Sequence, residues 1–276
     1  MNATIYDPRQ CSLGEGPLWH PVRNELFWFD ILGKKLMSVA QEWTFEEYVS
    51  AAGWIDQDRL LIASEMALFT FDLRDGLQNH VVDLDAENGI TRSNDGRADP
   101  QGGFWIGTMG KSGEHAAGAI YRYYRGELCM LFGGITISNS ICFSPDGTKA
   151  YFTDTPTRQI MCVGLDGEGW PKGSPAVFVD MVTDELNPDG SVVDGDGCLW
   201  NAQWGAHRVA KYGPDGAFVE AIEISAAQAS CPAFGGADLQ TMFVTSARDG
   251  LIGADDGKTF SIDLAVQGQA EHQVIL

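Results

Sequence analysis

Short runs of alternating apolar and polar residues, each introduced by a turn rich in Gly, Asp, Asn or Pro, recur along the chain. Because alternation with a period of two is typical of β-strands, each run predicts a strand that follows a tight turn. The six copies are HPVRNELFWFD, DQDRLLIAS, DPQGGFWIGT, SPDGTKAYFTD, DGDGCLWNAQ and GADLQTMFVTS, and their second apolar residues, called anchors below, are Phe27, Leu61, Trp105, Tyr151, Trp200 and Phe243. The anchors lie about 43 residues apart on average, the length of one propeller blade. The pattern therefore predicts an all-β, six-bladed β-propeller of four-stranded antiparallel blades.

Weaker runs predict the remaining strands. Met37, Met161 and Ala210 each lie ten residues after an anchor and indicate the third strand of a blade. Residues 3–6 and 272–276 both have strand character, and we expect these terminal strands to share the sheet that closes the propeller. Residues 1–276 then form a single domain. The connections around 108–118 and 246–258 are long, and long loops on a rigid scaffold commonly carry function.

Charge and composition narrow the classes of partner. Lys and Arg number 18 against 38 Asp and Glu, a formal net charge of −20, so a nucleic acid or an anionic membrane is not expected as a partner. The first ten residues lack a cationic region followed by an apolar run, and the longest uncharged stretch is rich in Gly and polar residues. We therefore expect a cytoplasmic protein, a monomer or a weak homo-oligomer. Its six cysteines contain no CxxC pair and are predicted to be free thiols rather than disulfides.

Polar residues recur at a fixed distance before four of the anchors. Glu15, Asn94, Asn139 and Asp189 lie eleven or twelve residues upstream of the anchor of their own repeat. Equal offsets in a repeat indicate equivalent positions, here the start of the innermost strand beside the central channel. An alternative is that Asn-Asp-Gly and Pro-Asp-Gly are ordinary turn sequences. That alternative explains each copy alone but not four copies in phase, and a turn has no special need for Glu15.

Three of these side chains carry the oxygen ligands of a hard cation. Glu15, Asn139 and Asp189 supply two carboxylates and an amide oxygen, a set that suits Ca²⁺, Mg²⁺ or Mn²⁺. Zn²⁺ also accepts carboxylate oxygens. We expect one divalent ion, and Fe²⁺ is a further candidate for it. No histidine shares the phase of this set, so a Ser–His pair is not indicated. Arg92 precedes Asn94 by two and shares its strand face, where it either balances charge or donates to a ligand.

Several segments resemble the senescence marker protein/gluconolactonase family, which includes regucalcin and bacterial sugar lactonases. Within the family they look most like xylonolactone- and arabinolactone-type enzymes. The segments are LGEGPLW (13–19), RSNDGRADPQGGFWIGTM (92–109), ISNSICFSPDGTKAYFTD (137–154), PDGSVVDGDGCLWNAQW (188–204) and CPAFGGADLQTMFVTSA (231–247). The resemblance implies a six-bladed propeller with one divalent metal on Glu15, Asn139 and Asp189, and substrate contacts at Arg92 and Asn94. It departs at Ser112, where some members carry a sugar-contacting Glu.

The resulting hypothesis is a metal-dependent hydrolase that opens a sugar lactone to the aldonic acid. Asp189 is the expected general base, Arg92 and Asn94 hold the substrate, and no organic cofactor is implied. Lys111 and Ser112, in the 108–118 loop, are further candidate substrate contacts, although a solvated loop charge explains Lys111 equally simply. The alternatives are a calcium-binding regulatory protein without turnover, a propeller that binds partners on its rim, or promiscuous phosphotriester or aryl-ester hydrolysis at the same metal.

Overall fold

The computed structural model describes residues 2–276 and consists of six four-stranded antiparallel sheets. In chain order the strands are β1 (Thr4–Asp7), β2 (Gly14–His20), β3 (Glu25–Asp30), β4 (Lys35–Ser38), β5 (Glu42–Thr44), β6 (Val49–Trp54), β7 (Arg59–Ser64), β8 (Ala67–Asp72), β9 (Gln78–Asp83), β10 (Thr91–Ala98), β11 (Phe104–Gly110), β12 (Gly118–Tyr124), β13 (Glu127–Ile135), β14 (Ser138–Phe143), β15 (Lys149–Asp154), β16 (Gln159–Leu165), β17 (Pro171–Asp180), β18 (Asn187–Val193), β19 (Leu199–Trp204), β20 (Arg208–Tyr212), β21 (Phe218–Glu223), β22 (Gln228–Gly235), β23 (Thr241–Ala247) and β24 (Thr259–Asp263). A 3₁₀ turn, Thr155–Thr157, is the one helical segment in this part of the chain. The predicted six-bladed propeller is confirmed.

Five blades follow the chain directly, as β2–β5, β6–β9, β10–β13, β14–β17 and β18–β21, and are numbered one to five. Every anchor lies in the second strand of its sheet, and the strands around Met37, Met161 and Ala210 are third strands, as predicted. The six first strands lie against one another around the channel. The core is divided accordingly, because each of the six clusters of buried apolar residues joins two neighbouring blades.

Blade six closes the ring differently from the prediction. Its sheet has the order β1-β24-β23-β22, so the N-terminal strand pairs with β24, as Ile5 with Phe260. Residues 272–276 are not a strand, and this part of the prediction is wrong. Because β1 already occupies the outer edge of the sheet, the C-terminal residues cross instead to blades two and three. There the backbone N–H groups of Val274 and Ile275 donate to the carbonyl oxygens of Trp54 and Gly102, at 2.9 and 2.8 Å.

Several smaller expectations are also settled. The connections predicted as 108–118 and 246–258 are shorter, at 111–117 and 248–258, because β11 and β23 extend further than expected. All six cysteines are free thiols, three of them buried and three half-buried. No helix within residues 2–276 is long and apolar enough to cross a membrane.

Candidate metal centre and substrate cavity

A cavity of about 280 Å³ opens where four first strands begin. Its lining residues are Leu13, Glu15, Arg92, Asn94, Met109, Ile137, Asn139, Thr155, Asp189, Trp204 and Asp249. The four polar residues placed in phase by the repeat therefore meet here together with Arg92, carried by β2, β10, β14 and β18. The volume suits one small molecule, close to the lower end of ligand pockets at roughly 300 Å³.

Local backbone irregularities turn these side chains towards the cavity. All six first strands contain a β-bulge at a corresponding place, for example between Glu15 and Leu18 in β2 and between Asn139 and Cys142 in β14. A bulge changes the direction of side chains and commonly occurs beside functional sites. The Asn-Asp-Gly and Pro-Asp-Gly sequences thus lie within strands β10 and β18, and the alternative that they are simple turns is wrong.

A glycine permits the close approach of first strands that this geometry needs. A Cβ atom placed on Gly190 would lie 2.4 Å from Sγ and 2.5 Å from Cβ of Cys231, in the neighbouring strand β22. Gly190 directly follows Asp189, so the same close contact fixes the backbone that carries this carboxylate.

A chain of hydrogen bonds connects three blades across the cavity floor. Arg92 Nη1 donates to Asn94 Oδ1 at 2.8 Å, and Asn94 Nδ2 donates to Asn139 Oδ1 at 3.1 Å. Asn139 Nδ2 donates to Thr155 Oγ1 at 3.0 Å, and Thr155 Oγ1 donates to the Pro188 carbonyl oxygen at 2.8 Å. Because the single hydroxyl proton of Thr155 goes to Pro188, its oxygen must accept from the Asn139 amide nitrogen. The Asn139 amide oxygen is thereby directed away from Thr155.

Two of the three carboxylates that line the cavity, those of Glu15 and Asp189, are buried and form no salt bridge within residues 2–276. Glu15 and Asp189 are each 5% exposed, and neither takes part in a salt bridge within the described chain. Burial and the nearby Asp95 raise the pKa of Glu15 to about 8. Burial and then Glu15 raise the pKa of Asp189 well above its usual range. Two desolvated, mutually repelling carboxylates favour any positive charge placed between them.

This donor set fits a divalent cation. Two buried carboxylates and an amide oxygen held by its neighbours give hard oxygen ligands whose repulsion a bound ion would relieve. Residues 2–276 contain no group of three or more His, Cys, Asp and Glu side chains placed for metal binding. The candidate centre therefore depends on Asn139 as its third protein ligand, with open positions left for water or substrate.

Lys111 and Ser112 do not belong to the lining of this cavity. The Lys111 ammonium forms a salt bridge with Glu65 and donates to the Gly89 carbonyl oxygen at 3.0 Å. The Ser112 N–H donates to the Glu114 carboxylate at 3.0 Å, which closes the loop on itself. Both residues lie on the rim, where local partners hold them.

Six lining residues were missed at the level of sequence, and most of them follow the repeat. Met109, Thr155 and Trp204 each lie four residues after an anchor, and Leu13 and Ile137 each lie two before a polar site residue. The alternation that places Arg92 beside Asn94 therefore applies to the other blades too. Asp249 follows neither spacing, because it lies in the irregular connection after β23.

Comparison with known proteins places this arrangement in a family. The profile of the SMP-30/Gluconolactonase/LRE-like region matches residues 13–248. The chain belongs to this family. It is 42% identical over 273 residues to a candidate sugar lactone lactonase of Rhizobium meliloti (strain 1021), covering 94% of this chain and 92% of that one. It is 36% identical to an L-arabinolactonase of Azospirillum brasilense, covering 90% and 85%. The crystal structure of a calcium-binding protein, regucalcin, from Agrobacterium tumefaciens str. C58 superposes with a TM-score of 0.97 at 37% identity, covering 100% and 98%.

Proposed function

We propose that this protein is a metal-dependent sugar lactonase, which hydrolyses an aldonolactone to the aldonic acid. The observation that carries the proposal is the meeting of Glu15, Asn139 and Asp189, from three separate blades, beside Arg92 and Asn94 in one cavity. The family members named as lactonases support lactone hydrolysis. The solved relative described as calcium-binding supports a divalent ion at this centre.

Glu15, Asn139 and Asp189 would hold the ion, which when bound supplies Lewis acidity to the lactone carbonyl and to a water molecule. Arg92 is suited to donate to the substrate, because only Nη1 of its guanidinium bonds to protein within the described residues. Arg92 and Asn94 then hold ring hydroxyls or the carbonyl oxygen as negative charge develops there. Asp189 accepts a proton from the attacking water and returns it to the ring oxygen as the acyl C–O bond breaks.

The decisive experiment strips the protein of metal, restores one ion at a time and follows acid release from a panel of pentono- and hexonolactones. We expect hydrolysis that depends on one divalent ion per chain. Tight Ca²⁺ binding with no turnover of any lactone would instead favour the second candidate, a calcium-binding regulatory protein, which the name of the solved relative supports.

Single substitutions distinguish the residues that bind the metal from those that act on the substrate. Glu15→Gln and Asn139→Ala should each weaken metal binding measured by isothermal titration. Asp189→Asn keeps an oxygen ligand but removes the base, so kcat should fall by about 10²–10⁴, more than metal affinity does. Arg92→Ala should change KM or kcat and leave the ion bound. Asp196→Asn, an exposed aspartate in the turn before β19, is the matched control.

Loss of the ion in Arg92→Ala, with normal ion binding in Glu15→Gln, would contradict these assignments. Arg92 would then be needed for metal binding, and Glu15 would not.

A further inference from the structure

The formal charges of the residues that line the cavity would be balanced by one divalent cation. They are Glu15, Asp189, Asp249 and Arg92, three carboxylates against one guanidinium, with a net formal charge of −2. A divalent cation at the centre would bring this sum to zero. The cavity is thus balanced for a ligand that itself carries no charge.

The lining contains one cation, Arg92. Arg92 is 5% exposed, and its Nη1 donates to the carbonyl oxygen of Ser93 and to Asn94, both at 2.8 Å. Lys111 is outside the lining and bound to Glu65. Within residues 2–276 the lining therefore offers no second cation to meet an anionic substituent. Transfer of an anion into such a site without a partner is strongly unfavourable.

Asp249 adds a charge at the solvent side of the cavity. It is the one exposed residue among the lining residues that the structure describes, the others being buried or half-buried. Its backbone is held in place because its carbonyl oxygen accepts from Gln228 Nε2 at 3.1 Å. The adjoining walls are apolar, formed by Leu13, Met109, Ile137 and Trp204. A substituent that projects outwards from a bound ring would therefore meet apolar side chains and a carboxylate.

We propose that the lactone accepted by this cavity is uncharged, and that Asp249 is a specificity-determining residue that disfavours lactones carrying a phosphate, sulfonate or carboxylate group. This inference rests on the proposed lactonase function. Lys111, which is outside the lining and bound to Glu65, does not take part in this charge preference. The loop that sets charge preference is then 248–258 rather than 111–117.

The test compares kcat/KM for a neutral hexono-1,5-lactone and its 6-phosphorylated counterpart. Like charges brought together are costly, so the wild-type protein should prefer the neutral lactone by about 100-fold or more. Asp249→Lys should narrow this ratio by about tenfold, and added salt should narrow it in the wild type. Glu220→Lys makes the same charge change on the exposed outer strand β21 and should leave the ratio at its wild-type value.

The possible outcomes distinguish failure of this inference from failure of the proposed lactonase function. Equal hydrolysis of both lactones by the wild type overturns the charge preference, and an unchanged ratio in Asp249→Lys overturns the role of Asp249. Either result leaves the lactonase assignment standing. Failure to hydrolyse any lactone overturns both.

Discussion

Hydrogen bonds to neighbouring groups orient the side chains of the candidate site. Asn139 is the clearest case, because an amide can present either oxygen or nitrogen to a metal, and only oxygen is a ligand. Two partners fix the orientation: Thr155 gives its proton to Pro188 and accepts from Asn139 Nδ2, and Asn94 Nδ2 donates to Asn139 Oδ1. We infer that Thr155 is a positioning residue, although its sequence context, just after an apolar strand, gives no hint of this role.

Thr155→Val should therefore weaken metal binding. Valine keeps the shape but removes the acceptor that holds Asn139 Nδ2, so we expect a loss of about 10- to 100-fold in ion affinity by isothermal titration. Thr155→Ser should restore most of it. Thr157→Val, two residues further on, removes an exposed hydroxyl that donates to the Asp154 carbonyl oxygen and serves as the control. Equal affinity in Thr155→Val and Thr157→Val would show that Thr155 does not orient Asn139.

At the level of elements, the first strand of each blade differs from the other three. All six first strands are bulged at a corresponding place. Four blades carry a polar side chain of the candidate site there. Gly190, which follows Asp189, lies within the bulge of β18, where an added Cβ atom would meet Cys231 of β22.

Gly190→Ala should disturb both stability and the site. The added methyl group would meet Cys231 at distances that require the two strands to separate, and overpacking of this kind costs about 1–3 kcal/mol. Because Asp189 is the preceding residue, lactone turnover should fall as well. Gly164→Ala, in strand β16, is the matched control, since its new Cβ would make only an ordinary contact of 3.6 Å with the Lys172 carbonyl oxygen. Urea unfolding and initial rates of both variants check this, and equal behaviour would contradict it.

For the whole molecule, the C-terminal segment closes the far side of the propeller. Residues 268–276 contact several blades: Gln269 Nε2 donates to the carbonyl oxygens of Phe143 and Val193, and Val274 bonds to blade two. Glu271 forms a buried salt bridge with Arg97 of strand β10, the strand that also carries Arg92 and Asn94. The segment thereby ties together blades that are distant in sequence.

Glu271→Gln should lower the free energy of unfolding by about 3–5 kcal/mol, because it leaves the Arg97 guanidinium buried without its counter-charge. Glu127→Gln, at the exposed start of strand β13, should change it little. Urea denaturation followed by circular dichroism measures both. Similar midpoints for the two variants would mean that the C-terminal salt bridge does not stabilise the ring.

The sequence by itself determined the features that recur from blade to blade. The alternation of apolar residues is a local property of each strand, so the anchors, the second and third strands and the phase of Glu15, Asn94, Asn139 and Asp189 could all be predicted from it. Equivalent positions in a closed ring meet at the axis, and the convergence of these four residues follows from that symmetry. The same spacing rule would have found Met109, Thr155 and Trp204.

Only the tertiary structure decided the features that occur once in the chain. The pairing of Lys111 with Glu65, the place of Asp249 at the cavity and the course of residues 272–276 each depend on contacts between segments far apart in sequence. A strand-like pattern at the C-terminus could not reveal that β1 already held the edge of its sheet. A lysine in a long loop could not reveal its partner, because the free energy of a charge is set by its neighbours in space.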